Sequence, residues 1–348
     1  MQKKKRIVQI LRIIMPIVAV ASFVVFAPLE GIWAWILPLP ETVQEQVEDA
    51  IDHGLDGMIV YVDQGGQPPV LYAAGWKDRA AQIPADPQAL FKIASISKLY
   101  IATTAAKLAH EQRLSLDDTL ADYLPELVDR IDYADQITLR MMLQHRSGIP
   151  NYVDDDAFDW GDPVAENSEN LALVLDDPAD FEPDTDYRYS NTNYLLIGTI
   201  LDNVLGYSHQ QYINREILVP LGLTNTYGLL SDVNLEDVVS GYYAEYDGDL
   251  KELDYMTPGG SMVATAQDVG VFLRALNDGS LLNDDEQAIY ASIYEYEHTG
   301  WVLGYHSIAR YHENSDTVVI QFVNTTGGDM ELVTNVVYNR IVRILGRE

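Results

Sequence analysis

Three short segments of this 348-residue chain carry side chains that could do chemistry together. In FKIASISK, residues 91–98, Ser95 and Lys98 stand three apart at the start of a run with helix-forming composition. On a helix that spacing sets both side chains on one face, about one turn apart. A serine at a helix N-terminus gains from the local dipole, which favours an oxyanion. A lysine in an apolar setting holds its proton less tightly and can act as a base. In YRYSNTNYLLIG, residues 187–198, Tyr189 and Asn191 directly precede an apolar helix. A tyrosine beside a lysine cation is expected to have a lowered pKa and to shuttle a proton. Asn191 can hydrogen-bond a substrate amide. In EHTGWVLGYHS, residues 297–307, His298-Thr299-Gly300 opens a strand, and Gly300 lets a ligand approach the backbone closely. Taken singly, each segment also has a plain explanation: a chance spacing, turn chemistry, or a hydrogen-bonded histidine at a strand end.

The elements that must position these residues can be read from periodicity. Residues 41–52 alternate polar and apolar at helical spacing. A strand pair follows, 58–63 and 69–75, joined by the turn Gln64-Gly65-Gly66-Gln67. Residues 95–110 read as a helix. From about 115 to 255 the chain is loop-rich with short helical patterns, and 195–206 is the clearest helix there, ended by Gly206. Strand patterns return over 301–312 and 317–324, around a turn at 314–316, and an amphipathic helix closes the chain at 331–346. The β-rich ends are expected to form one sheet with the terminal helices on a face. The middle forms an inserted helical lobe. The expected units are an α/β lobe of about 41–110 and 256–348, and a helical lobe of about 111–255.

Composition narrows the function. The apolar fraction of 47% is that of a globular protein. With 22 Lys+Arg against 53 Asp+Glu, the net charge of -31 repels phosphate backbones and argues against nucleic-acid binding. Five of the basic residues, Lys3, Lys4, Lys5, Arg6 and Arg12, lie within the first twelve positions, so the remainder is more acidic still. The absence of cysteine excludes disulfides, thiolate metal sites and a cysteine nucleophile. After the basic residues, 13–29 are continuously apolar, and Trp33 and Trp35 would suit a membrane interface. Residues 1–40 are therefore expected to be a signal anchor, uncleaved rather than cleaved after Ala19-Val20-Ala21, with the rest of the chain outside the cytoplasm.

Other chemistries fit less well. There is no G-x-S-x-G elbow. His110-Glu111 lacks the second histidine of a zinc helix, because Leu114 stands in its place. The acidic run 154–162 could hold calcium but reads more simply as a solvated loop. His145 reads as a structural partner of its turn.

In their order along the chain, the three segments resemble the serine β-lactamase and penicillin-binding superfamily, which combines S-x-x-K with a later Ser/Tyr-x-Asn and a Lys/His-Thr-Gly element. The Tyr-x-Asn and His-x-Gly forms are similar to the branch holding class C β-lactamases, D-alanyl-D-alanine carboxypeptidases and related esterases. The blocks LSLDDTLADYLPEL (114–127), ITLRMMLQHRSGIP (137–150) and MTPGGSMVATAQDVGVFL (256–273) read like its connecting segments. The resemblance runs from about 45 to 346. It implies an α/β (α+β) fold of β-lactamase/transpeptidase type, an antiparallel sheet flanked by helices with an inserted mainly helical lobe. It implies Ser95 as the acylated nucleophile, with Lys98 and Tyr189 sharing the proton work in an order left open. Asn191 would orient the substrate amide, His298 and Thr299 would face a substrate carboxylate, and the N–H groups of Ser95 and Trp301 would form the oxyanion hole. No cofactor is implied.

The expected function is an extracytoplasmic serine hydrolase of amides or esters, D,D-peptidase-like or esterase-like. A class C-like β-lactamase or a non-catalytic binder of cell-wall peptide or a partner protein are the alternatives. The expected partners are a small-molecule or peptidoglycan-peptide substrate and the membrane, with oligomeric state open. Three departures bear on substrate choice. Pro183-Asp184 replaces the usual Pro-Gly, Glu297 precedes His298 where glycine is common, and Trp301 is bulky. No clear strand precedes His298 within 274–297.

Overall fold

A computed structural model describes residues 29–347, apart from 165 and 245, together with 11, 12, 14, 15 and 18. The apolar run expected to be an anchor lies almost wholly outside the described residues. Among the described residues, no helix is long and apolar enough to cross a membrane. Residues Leu29–Ile36 form helix α1. It packs against the C-terminal helix, where a Cβ on Gly31 would stand 2.4 Å from Cδ2 of Leu332.

Six strands build the main sheet: β1 (Gly57–Gln64), β2 (Val70–Asp78), β3 (Ile83–Pro84), β4 (His298–Val302), β5 (Tyr305–His312) and β6 (Thr317–Val323), in the order β3-β2-β1-β6-β5-β4. Every pairing is antiparallel, so the two chain ends interleave, with Met58 opposite Val323 and Gln64 opposite Thr317. What read as one strand over 301–312 is a tight hairpin. Its turn passes through Gly304 at φ +82°, a conformation that suits glycine. Among the described residues no strand lies within 274–297, so His298 opens the edge strand β4.

Strand side chains alternate between faces, and here both faces are covered, which is why β1 reads as the unbroken apolar run MIVYV. Met58, Val60 and Val62 point to helices α2 (Val43–Asp52) and α7 (Met330–Leu345), which supply Val47, Val337 and Ile341. Thr42 and Glu45 close a capping box that starts α2. Ile59 and Tyr61 point to the opposite core, built from α3 (Ser97–His110), α4 (Asn191–Leu205) and α5 (Ala266–Asp278). Tyr100 of α3 stacks on Phe272 of α5 at 3.8 Å between centroids. Helix α6 (Asp284–Ala291) packs beside α3. Helix α4 begins at Asn191, earlier than apolar spacing alone indicates, and ends at Gly206 with φ +75°.

Candidate active site

Ser95 sits in a short 3₁₀ turn, Ala94–Ile96, that feeds α3. Ala94 is held at φ +49°, a left-handed conformation that strains a residue with a Cβ. Its surroundings enforce it. Ser97 Oγ donates to the Ala94 carbonyl at 2.6 Å and accepts from the Met262 N–H at 3.3 Å, and Ser307 Oγ donates to the Ile93 carbonyl at 3.0 Å. The edge strand β4 lies directly against this turn. A Cβ on Gly300 would stand 2.3 Å from the Ile93 carbonyl oxygen and 2.4 Å from Ser307 Oγ. Glycine is thus required for close approach, and it brings the backbone of Trp301 beside Ser95.

Four of the expected residues converge. Lys98 Nζ lies 3.1 Å from Ser95 Oγ, and the Tyr189 hydroxyl donates to the same oxygen at 2.9 Å. Nζ also donates to Asn191 Oδ1 and to the Gly259 carbonyl, each at 2.9 Å. Lys98 is fully buried, and loss of hydration drives its pKa from 10.5 down to about 7. No carboxylate partner is among the causes. The neutral amine fits this setting. Its two hydrogens go to Asn191 and Gly259, and its lone pair is left for the Ser95 hydroxyl.

Tyr189 behaves opposite to the expectation. Burial raises its pKa, outweighing the hydrogen bond to Ser95, so the phenolate is disfavoured. A lysine whose own cation is disfavoured by burial does little to stabilise a phenolate. Tyr189 therefore stands as a proton donor to Ser95 Oγ.

Two further groups fix this tetrad. His145 takes its Nδ1 to the Ser190 N–H at 3.2 Å and stacks on the Tyr189 ring at 4.4 Å. Burial holds its pKa down at about 3, so it stays neutral, and its contacts reach the Tyr189-Ser190 segment rather than its own turn. Gly259 lies in the Pro258-Gly259-Gly260 turn, where a Cβ would come 3.0 Å from Lys98 Nζ and 2.8 Å from Tyr194 Cβ. Sequence reasoning passed over this residue, although the paired glycines were a signal that a backbone comes close to something.

The third segment does not present a cation. His298 places Nε2 2.8 Å from the Tyr294 hydroxyl and Nδ1 2.5 Å from the Thr299 carbonyl oxygen. Burial, with Lys98 nearby, lowers its pKa to about 4, so it is neutral at ordinary pH. Thr299 is exposed. Arg146 is engaged by Asp184, donating from Nε to Oδ1 at 2.5 Å. Asp184 adopts φ +63°, which explains how an aspartate serves where glycine is usual: Arg146 holds it in the left-handed conformation. Glu297 pairs with Arg310 at 3.4 Å.

Space opens on two sides of the tetrad. A cleft of about 330 Å³ is bounded by Tyr189, His298, Tyr294 and Arg146. A tight one of about 40 Å³ is bounded by Ser95, Asn191, Trp160, Tyr255 and Trp301. A larger cavity of about 470 Å³ lies near His209, Tyr227 and Met262 and is lined by none of the expected site residues. Among the described residues, no group of three or more His, Cys, Asp or Glu could hold a metal ion.

The Beta-lactamase family model matches residues 39–292, and the chain belongs to that family. Its fold is that of D-amino acid amidase from Ochrobactrum anthropi SV3 (TM-score 0.78, 23% identity, 88% of this chain and 97% of the other). The class C beta lactamase from Rhodobacter sphaeroides shares it (TM-score 0.70, 23% identity, 88% of this chain and 100% of the other). Protein flp of Staphylococcus aureus is 29% identical over 195 residues, 53% of this chain. The chain covers only 38% of that relative's length. The protein is thus a member of the serine hydrolase superfamily that includes β-lactamases and penicillin-binding proteins.

Proposed function

We propose that this chain hydrolyses an amide or ester through an acyl-enzyme on Ser95. The observation that carries the reading is the position of Ser95 Oγ, 3.1 Å from a desolvated Lys98 amine and 2.9 Å from the Tyr189 hydroxyl. The neutral Lys98 accepts the Ser95 proton as Oγ attacks the substrate carbonyl. The N–H groups of Ser95 and Trp301 face the developing oxyanion. The proton taken by Lys98 then reaches the leaving group, Tyr189 donating its own and regaining that of Lys98 in the same step, so that both end neutral, and water cleaves the acyl-enzyme by the reverse route.

Within this class we favour an amidase or esterase acting on a substrate without a terminal carboxylate. Among the described residues lining the cleft by Tyr189, His298 has its cation disfavoured by burial and Arg146 is paired with Asp184, so neither stands free for a carboxylate. A D,D-carboxypeptidase or β-lactamase needs such a partner more than an ester or amide hydrolase does. We also propose that the domain works outside the cytoplasmic membrane, tethered by its N-terminal segment. The support is the basic cluster of residues 1–12 followed by the apolar run 13–29.

Labelling with a fluorescent fluorophosphonate and with a fluorescent penicillin tests the chemistry. Wild-type protein is expected to label and Ser95→Ala to remain blank. Full labelling of the alanine variant, or none of the wild type by either probe, overturns the reading. A panel of p-nitrophenyl esters, amino-acid amides, a D-Ala-D-Ala peptide and nitrocefin ranks the substrates. Turnover confined to the last two overturns the preference for substrates lacking a carboxylate.

A further inference from the structure

Helix α1 and the residues after it are clamped to the body of the protein. Gly31 and Ala34 of α1 are buried, and the contact with Leu332 on the first turn of α7 leaves no room for a Cβ on Gly31. The stretch that follows, Leu37-Pro38-Leu39-Pro40, has little slack. Arg340, buried in α7, donates from Nη1 to the Leu37 carbonyl at 2.7 Å and from Nη2 to the Pro38 carbonyl at 2.8 Å. Arg347 donates to the Pro40 carbonyl at 3.4 Å. The two prolines stiffen the same stretch. A tether that lets a domain swing freely is rich in glycine and serine instead.

The clamp leaves large apolar side chains outside. Trp35 is 69% exposed, Ile36 52% and Leu332 42%, on two helices that touch. Grouped exposure of this kind marks an interaction surface. The apolar run 13–29 ends where α1 begins, so these side chains stand at the end of the domain that a membrane segment would enter. Tryptophan favours the boundary between lipid and water. The same turn of α7 reaches the catalytic cleft. Glu331, next to Leu332, accepts from Trp301 Nε1 at 2.8 Å, and Trp301 lines the tight cleft with Ser95.

We infer that the face formed by α1 and the first turn of α7 rests on the lipid bilayer itself, with Trp35, Ile36 and Leu332 seated among the headgroups. This rests on the tether proposed above and adds the orientation of the domain upon it. A helix lying in that plane buries its apolar side about 5–10 Å into the boundary of headgroups and acyl chains. The Trp301 wall of the Ser95 cleft then stands next to the lipid surface. A zwitterionic surface suits the contact, because the net charge of -31 repels anionic lipid.

The chain has no cysteine, so a single introduced thiol can carry an environment-sensitive fluorophore without competition. One label goes on Asn335→Cys, exposed on α7 a turn past Leu332. The other goes on Asp285→Cys, exposed on α6, which packs beside α3 across the sheet from α7. Full-length protein is reconstituted in phosphatidylcholine vesicles, with or without a lipid bearing a nitroxide near the headgroup end of its acyl chain. Flotation on a density gradient reads the tether. The nitroxide lipid is expected to quench the α7 label at least about twofold more than the α6 label, as a face seated in the headgroup layer requires. The combined variant Trp35→Ser/Ile36→Ser/Leu332→Ser should cancel that difference while the protein still floats. Equal quenching of the two labels in floating protein, or a difference that survives the combined variant, overturns the docked face alone. Protein that does not float overturns the tether reading on which it rests.

Discussion

If the neutral amine of Lys98 takes the Ser95 proton, kcat/KM must follow its deprotonation. The lowering from 10.5 to about 7 has burial as its cause and corresponds to about 5 kcal/mol against the ammonium form. An ordinary lysine at pH 7 is neutral in only about one molecule in three thousand, whereas Lys98 is neutral in about half. The expected profile is a single ascending limb centred near pH 7, with pH 6 giving about a tenth of the plateau. Burial keeps His145 and His298 neutral down to about 3 and about 4, so neither supplies that limb. Lys92 is the confounder, since burial brings it too to about 7, and it donates to the Leu250 and Leu253 carbonyls. The assay is steady-state hydrolysis of p-nitrophenyl acetate from pH 5 to 9, for wild type and Lys92→Met. A limb that persists in Lys92→Met supports Lys98 as the base. A flat profile across pH 6–9, or a limb that leaves with Lys92, refutes the assignment.

Other outcomes follow from the same contacts. Gly300→Ala forces β4 back by about 1 Å from the Ile93 carbonyl, and a displacement of that size at an oxyanion hole lowers kcat by about 10²-fold, measurable with any turned-over ester. Lys98→Met removes a buried amine whose charged form the fold disfavours. It should abolish acylation while raising the melting temperature by a few degrees at pH 6, which differential scanning calorimetry reads. Lys98 and Lys92 both bind fewer protons folded than unfolded between about 7 and 10.5, so their contribution makes stability rise as pH increases through that window. Comparing wild type with the Lys92→Met/Lys98→Met double variant isolates that slope, which should flatten in the variant. Arg340 is buried and donates to Gln46 Oε1, the Leu37 carbonyl and the Pro38 carbonyl at 2.5, 2.7 and 2.8 Å. Arg340→Met leaves three acceptors unmatched and should destabilise by about 3 kcal/mol in urea unfolding.

Much of the fold was legible because its periods are strong. The run MIVYV, the helix 97–110 and the closing helix Met330–Leu345 fall close to where alternation and helical spacing put them. Boundaries set by chain reversal were less visible. The Leu303-Gly304 turn divides what reads as one strand, since two residues carry little periodic signal. The start of α4 at Asn191 was hidden because its first turn, NTNY, is polar yet mostly buried against other polar groups, as with Thr192 on the Pro150 carbonyl at 2.7 Å.

At the site, residue types and order singled out Ser95, Lys98, Tyr189, Asn191 and His298-Thr299-Gly300, because covalent chemistry restricts which side chains can serve and the helix restricts their spacing. Protonation was decided only by the tertiary structure. A pKa depends on the hydration lost and the partners gained, and both come from distant segments. The Gly259 turn and the Tyr194 ring dry out Lys98, and the His145 ring covers Tyr189. Burial lowers the pKa of the lysine, in the direction an apolar setting implies, and raises that of the tyrosine, opposite to the expectation drawn from its neighbouring lysine. The disfavoured cation of His298 likewise follows from burial and from Lys98, a residue far from it in the chain.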